Sequence, residues 1–307
     1  MSFASGSSHG LRYIAEDEWG TTPSPTPAMI SLRHTSCAVA LTKDGFQSNE
    51  LRSDRQITDF RHGVIRVQGD IGIEFSYGEY DPFLEGALFG TWSDNVLKAG
   101  KVRKSYTLER AFTDITQFGV FTGCMVNSLS LSIPANAMVT GSFGFIGKGA
   151  SYGTDPLKAE PTESQTGSPF DSFTGEIHEG GTEAGDKIAT VTSIDISVEN
   201  GLEPAFVVGS NVAAELPHGR CNVTGSVSCY FEDMAMLNKF INETESEITL
   251  KLGGATSSYT LFLPRIKYTG GDNPASGEGP LMLNMPFQAL YDSSATTAFQ
   301  ITRVPPA

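Results

Sequence analysis

Between Val64 and Tyr77 apolar side chains recur at alternate positions. Ile65, Val67, Ile71, Ile73, Phe75 and Tyr77 share one face, and Arg66, Gln68, Asp70, Glu74 and Ser76 the other. A period of two predicts a β-strand with one dry and one wet face. The pattern recurs at 222–231, where Val223, Val227, Cys229 and Phe231 oppose Asn222, Thr224, Ser226 and Ser228. The two stretches, HGVIRVQGDIGIEF (62–75) and HGRCNVTGSVSCYF (218–231), align without a gap, and upstream Asp44-Gly45 keeps the same offset to Asn200-Gly201. Each strand precedes a short helix signal. DPFLEGAL offers Asp81 as N-cap with Pro82 at the first helical position, and DMAMLNKFI offers Asp233 as N-cap.

The remaining alternating runs fall into two similar sets. SYTLERAF, FGVFTG, SLSLSIP and MVTGSFGFIG follow the first helix; SEITLKL, SYTLFLPRIKY, GPLMLNMPFQAL and AFQITRV follow the second. The repeat predicts an all-β fold with two short flanking helices, built as duplicated β-sandwich or barrel units. Residues 1–27 read as an N-terminal arm, 28–150 as the first unit, 151–187 as a Gly/Ser/Thr-rich acidic linker or loop, and 188–307 as the second unit. LRYIAEDEW and PFDSFTGEI could each add a strand.

Composition narrows the chemistry. In 307 residues there are 33 glycines, and charged residues make up 18%, which suits a turn-rich β-protein. A formal charge of −14 opposes stable nucleic-acid binding. No apolar run spans a bilayer, and the polar start MSFASGSSHG lacks a signal peptide's apolar core, so synthesis in the cytoplasm is expected. Cys37, Cys124, Cys221 and Cys229 have no metal-ligand spacing and read as buried free thiols, with Cys221 and Cys229 facing one apolar layer. GSSHG matches a nucleophile-elbow pattern but lacks the strand and helix that chemistry requires. His9, His34, His62, His178 and His218 are scattered. No catalytic, cofactor or metal residue is assigned, and no cofactor is expected.

Two features remain. The wet faces carry small hydroxyls and acids (Ser128, Ser130, Ser132, Thr140, Ser142, Ser193, Asp195, Ser197, Glu199), which suits either a solvated sheet or a smooth water-lined conduit. The loop leading to the first strand carries Glu50, Arg52, Asp54, Arg55, Asp59 and Arg61, whereas its twin in the second copy is nearly uncharged, with Glu203 and Glu215 alone, and carries Phe206, Val207 and Val208. Equivalent loops diversified in this way suggest two distinct protein contacts, and the mixed signs suit a protein partner better than a phosphate.

RYIAEDEWGTTP, LTKDGFQSNELRSDRQITDFRHG…VQGDIGIEFSYGEYDPFLEGAL, FTGCMVNSLSLSIP…VTGSFGFIGKG, ATVTSIDISVENGLEPAFVVGS and VTGSVSCYFEDMAMLNKFIN together resemble the major tail tube proteins of long, non-contractile-tailed bacteriophages. The resemblance implies units whose hairpins join those of neighbouring subunits into an inter-subunit β-barrel ring, with rings stacked into a virion tail tube that lets the genome pass. It implies self-association, tail-tip and tail-terminator proteins at the tube ends, transient passage of DNA without specific binding, and no catalysis. Two units per chain favour a trimeric ring with pseudo-six-fold symmetry over a hexamer. Expected lumen-facing residues are Gln68, Asp70, Glu74, Asp195, Ser197, Glu199, Thr224, Ser226 and Ser228; the loop residues named above are the expected inter-subunit contacts. The alternative is a β-sandwich binding or decoration protein on a virion surface.

Overall fold

The computed structural model describes residues 3–24, 27–173, 175–180, 186–187, 190–271 and 278–306. The first half runs β1 (His9–Glu16), β2 (Ile30–Ser31), β3 (Ser36–Cys37), β4 (Ala40–Gln47), β5 (Phe60–Glu74), α1 (Asp81–Leu88), β6 (Val96–Lys98), β7 (Ser105–Phe112), β8 (Gln117–Pro134), β9 (Thr140–Gly147) and β10 (Gly149–Gly153). The second runs β11 (Glu176–Glu179), β12 (Asp186–Lys187), β13 (Val191–Glu199), β14 (Asn222–Tyr230), α2 (Ala235–Ile241), β15 (Ser246–Leu252), β16 (Ser258–Tyr268), β17 (Met282–Ala289) and β18 (Gln300–Val304). The protein is all-β, with all of these strand pairings antiparallel.

Pairing repeats along with sequence. In the first half β4 pairs β5, β5 pairs β9, β9 pairs β8, β8 pairs β7, and β7 pairs β1. In the second, β13, β14, β17, β16, β15 and β11 follow the same path. The strands foreseen in LRYIAEDEW and in PFDSFTGEI are thus β1 and β11, in matching positions. Two further ladders join the halves: β6 pairs β18 from Val96↔Thr302 to Lys98↔Gln300, and β13 pairs the far end of β8 from Ser193↔Pro134 to Glu199↔Ser128. A front sheet β4–β5–β9–β8–β13–β14–β17 therefore runs unbroken through both. β8 serves two sheets because FGVFTG and SLSLSIP, expected as separate strands, are continuous through Gly123, whose φ of +68° bends the chain. A Cβ there would meet Lys148 at 2.7 Å and the Trp19 indole nitrogen at 2.9 Å.

The core lies between the front sheet and the strands behind it, with α1 packed inside it. Phe83, Leu84, Ala87 and Leu88 are buried on this helix among Tyr13, Tyr106, Phe143 and Phe145. Each large apolar side chain buried in this way contributes about 1.5–3 kcal/mol. Alternation sets the outcome: Val67, Ile71, Ile73, Phe75, Val223, Val227 and Cys229 point in, while Gln68, Asp70, Glu74 and Asn222 are exposed.

Four expectations are corrected. Tyr80, not Asp81, is the N-cap of α1; Asp81 is the first helical residue, and its carboxylate is taken by the Tyr259 hydroxyl and the Arg303 guanidinium. Met234 is the N-cap of α2, although Asp233 Oδ1 accepts from the Ala235 amide at 2.7 Å. Ser76 is buried because β5 ends at Glu74 and the chain turns inward to bridge Pro169. Of the free cysteines, Cys124 and Cys229 are buried and Cys37 is half-buried, but Cys221 is exposed, since it precedes the first residue of β14.

Candidate lumen wall and assembly hairpins

Residues opposite each other across an antiparallel ladder share a face. Following the register from β5 through β9, β8 and β13 to β14 gives one row of Glu74, Thr140, Ser132, Asp195 and Ser226. A second contains Gly72, Ser142, Ser130, Ser197 and Thr224, and a third Asp70, Gly144, Ser128, Glu199 and Asn222. Ser228 lies between Ser193 and Asn284, and Gln68 opposite Ile146, on the same face. All nine side chains expected to be wet are therefore brought together. Their proximity is direct: a Cβ at Gly144 would meet Ser128 Oγ at 2.3 Å and Asp70 Oδ1 at 2.8 Å.

This face is dished into an open trough of about 650 Å³. Its hydroxyls bind sideways: Ser130 Oγ lies 2.8 Å from Ser142 Oγ, and Ser132 Oγ donates to Asp195 Oδ1 at 2.6 Å. Such pairing keeps side chains short and flat against the sheet. The three rows carry four carboxylates and no lysine or arginine, so the surface has little with which to hold a phosphate.

The two loops that differ in charge are hairpins of equal length. The first continues β4 and β5 through Phe46↔Arg61 and Gln47↔Phe60, with the Ser48 amide donating to Asp59 O at 3.0 Å. It closes at Arg55, whose φ is +61°. Arg52 grips Asp54 through two bonds of 2.9 and 2.6 Å and holds its carboxyl below the usual carboxylate range; Arg61 meets Asp59 at 3.0 Å. Glu50, Arg52, Asp54, Arg55, Asp59 and Arg61 are all exposed, as are Phe46, Leu51, Ile57 and Phe60. Pairs this exposed are screened by solvent, so they neutralise the tip more than they fasten it.

The second hairpin lies against the body. Asn200 Nδ2 donates to Ala87 O at 2.9 Å and Val126 O at 3.1 Å; the Leu202 amide donates to Asn127 Oδ1 at 2.7 Å; the Ile65 amide donates to Asn211 O at 2.7 Å. Leu202 and Leu216 are buried with Phe89 and Met125 in a separate apolar cluster. Phe206 sits under the Arg66 guanidinium at 5.3 Å, while Val207 and Val208 are exposed at the tip. Reading the sequence alone misses Asn200, Leu202 and Leu216 as docking residues; their signal is the offset that sets them opposite Asp44, Phe46 and Phe60. It also misses a clasp between the halves, in which Arg303 lies 4.5 Å over the Trp92 ring and the Gly78 amide donates to Tyr259 Oη at 2.9 Å. Burial at this clasp pushes the Tyr259 hydroxyl and the Asp81 carboxyl above their ordinary values.

Among the described residues no three metal-ligating side chains converge, and no helix is long and apolar enough to cross a membrane. A duplicated sheet with a shared polar trough, one hairpin docked on its own chain and one projecting into solvent defines a structural protein. A model of the phage tail tube protein family matches residues 6–289, spanning both halves, and the chain belongs to that family. A comparison with curated proteins gives no significant match. The protein is a structural subunit of the virion tail, which self-assembles into a tube together with other tail proteins.

Proposed function

We propose that three copies close a ring of six quasi-equivalent units, that the front sheets join edge to edge into a barrel, and that the polar rows face its lumen. The β8–β13 ladder carries this reading, because within one chain it already joins one unit's front sheet to the next, and repeating that joint would close a ring. With the end of β16 paired to β17 as the fourth strand of the second unit, four strands from each unit would give a barrel of about two dozen, wide enough for an aqueous channel. Closure also pairs the edge strands that an isolated sheet leaves open.

Gln68, Asp70, Glu74, Asp195, Ser197, Glu199, Thr224, Ser226 and Ser228 then line the conduit. Carboxylates repel the passing phosphates within a Debye length of about 8 Å, and short tethered hydroxyls give them no anchor. The role is passage without catalysis or specific binding, with tail-tip and terminator proteins at the ends of the stacked rings. The Gly/Ser/Thr-rich stretch 151–187 is read as the connection between units. A top view of isolated rings by electron microscopy tests the proposal: a three-fold ring with six similar inner lobes is expected, and a six-fold ring with six further outer lobes would overturn it.

A further inference from the structure

The two helices that follow the repeated strands differ in burial. The end of α1 is covered by the hairpin of the second half, and Phe89, Leu202 and Leu216 are 4, 6 and 1% exposed. No residue of α2 is buried. The shared offset of 156 residues (62 to 218, 44 to 200) sets Phe46 at the place of Leu202 and Phe60 at that of Leu216. The end of α2 presents Ile241 where the end of α1 presents Phe89. These three counterparts are 62, 58 and 63% exposed. One copy of the cluster is closed, and these three members of the other face water.

We infer that hairpin 44–62 of one copy docks on α2 and the start of β14 of a neighbouring copy, as hairpin 200–218 docks on α1 and β5 within the chain. The seam between the halves has the required directionality: the second half supplies both the strand that pairs β8 and the hairpin that covers α1. Carried to the next copy, the first half supplies β4 and hairpin 44–62 to the neighbour's second half. The large exposed apolar side chains on both surfaces are thereby explained by one contact. The inference rests on the self-assembly and duplication proposed above, and it names the surface at which the joint is made.

The native cysteine supplies a sharp test. Within the chain the Ile65 amide meets Asn211 O at 2.7 Å. The same offset maps Ile65 to Cys221 and Asn211 to Arg55, and a backbone bond of this kind sets Cα atoms within the roughly 4.4–6.8 Å that a disulfide spans. Purified Arg55→Cys protein, assembled and oxidised with copper–phenanthroline, should give a ladder of covalent oligomers on a non-reducing gel, lost in Arg55→Cys with Cys221→Ser. Separately, Phe46→Asp with Phe60→Asp, or Ile241→Asp alone, should weaken self-association by at least roughly ten- to hundred-fold, with unchanged circular dichroism and melting of the unassembled chain. Tubes that form normally from the double Asp variant, or tubes of Arg55→Cys protein that give no interchain ladder, would overturn the docking site while leaving the tube role standing. Wild-type protein that stays monomeric at high concentration would overturn both.

Discussion

Hairpins 44–63 and 200–219 have one length and one glycine pair at their base, yet the first continues the β4–β5 ladder into solvent and the second is fastened to its own chain. The difference shows how a duplicated sequence diverges when one copy of a contact is made in cis. The cis hairpin has Leu202 and Leu216 where the free one has Phe46 and Phe60, and the buried amide of Asn200 in place of the Asp44 carboxylate, because its partner is always present. The free hairpin brackets its apolar residues with Arg52–Asp54 and Arg61–Asp59 pairs, which keep an exposed Leu51, Ile57 and Phe60 soluble.

The largest expected effect of breaking this comparison is thermodynamic. Leu216→Ala removes a side chain that is almost wholly buried against Phe89 and Met125, so the unassembled chain should lose about 2–4 kcal/mol. At roughly 2–4 °C per kcal/mol for a chain of this size, melting should fall by about 5–15 °C. Phe60→Ala, at the equivalent position, should leave the same melting curve within about 0.5 kcal/mol. Scanning calorimetry on dilute protein separates the two, and equal shifts would mean that the hairpins are not in the different states described.

Much of this contrast was legible in the residues, and some was not. SYTLERAF, SEITLKL and SYTLFLPRIKY became β7, β15 and β16 at the expected boundaries, because strict alternation fixes both the strand and its faces. The polar side of each strand was likewise readable. That Ser130, Ser197 and Thr224 form one row was not, since parity says nothing about which strands are neighbours. The β8–β13 seam and the recruitment of Asp81 by Tyr259 and Arg303 depend on residues about 60 to over 200 positions apart. Local signals for an N-cap lose to such a buried clasp. The charged and nearly uncharged loops were distinguishable, but nothing local says that Leu202 and Leu216 find Phe89.

The base of the free hairpin carries a proton-sensitive fastening. Leu32 O can only accept, so His34 Nδ1, 3.1 Å away, holds a hydrogen and His34 Nε2 accepts. His9 Nδ1 must then donate to it at 2.8 Å, leaving His9 Nε2 to accept from Arg110 Nε at 3.3 Å. Arg110 in turn donates to Val39 O, one residue before β4. The His9 ring is neutral in this chain of bonds. Burial first, then His34 and Arg110, push His9 from 6.5 down to about 4. The unfolded chain thus takes up a proton below about 6.5 that the folded chain refuses until about 4. Stability from this site is full above about 6.5 and lost as the pH falls towards 4. Because His9 is half-exposed, the loss should be only about 1 kcal/mol. Melting temperature measured from pH 7 to 4 should slope downward with acid, and His9→Gln should flatten that slope; an unchanged slope would assign it elsewhere.

The smallest effect concerns a side chain that touches both hairpins. Arg66 lies 5.3 Å over Phe206 of the docked hairpin, and its Nε lies 3.3 Å from both carboxylate oxygens of Asp44 in the free one. An exposed cation–π contact and an exposed ion pair each contribute up to about 1 kcal/mol, so Arg66→Ala should barely move the melting curve. Local opening is more sensitive than global melting, because a contact that closes only the hairpin tip contributes all of its free energy there. Hydrogen exchange of the Phe206–Asn211 amides should therefore quicken roughly two- to five-fold in Arg66→Ala, while the Asn200 and Leu202 amides, held by Asn127, stay protected. Acceleration spread evenly from 200 to 219 would instead make the hairpin one rigid body, with Arg66 incidental to it. Confined to the tip, it would show that docking hairpin 44–62 on a neighbour is felt, through Arg66, by the hairpin already docked in cis.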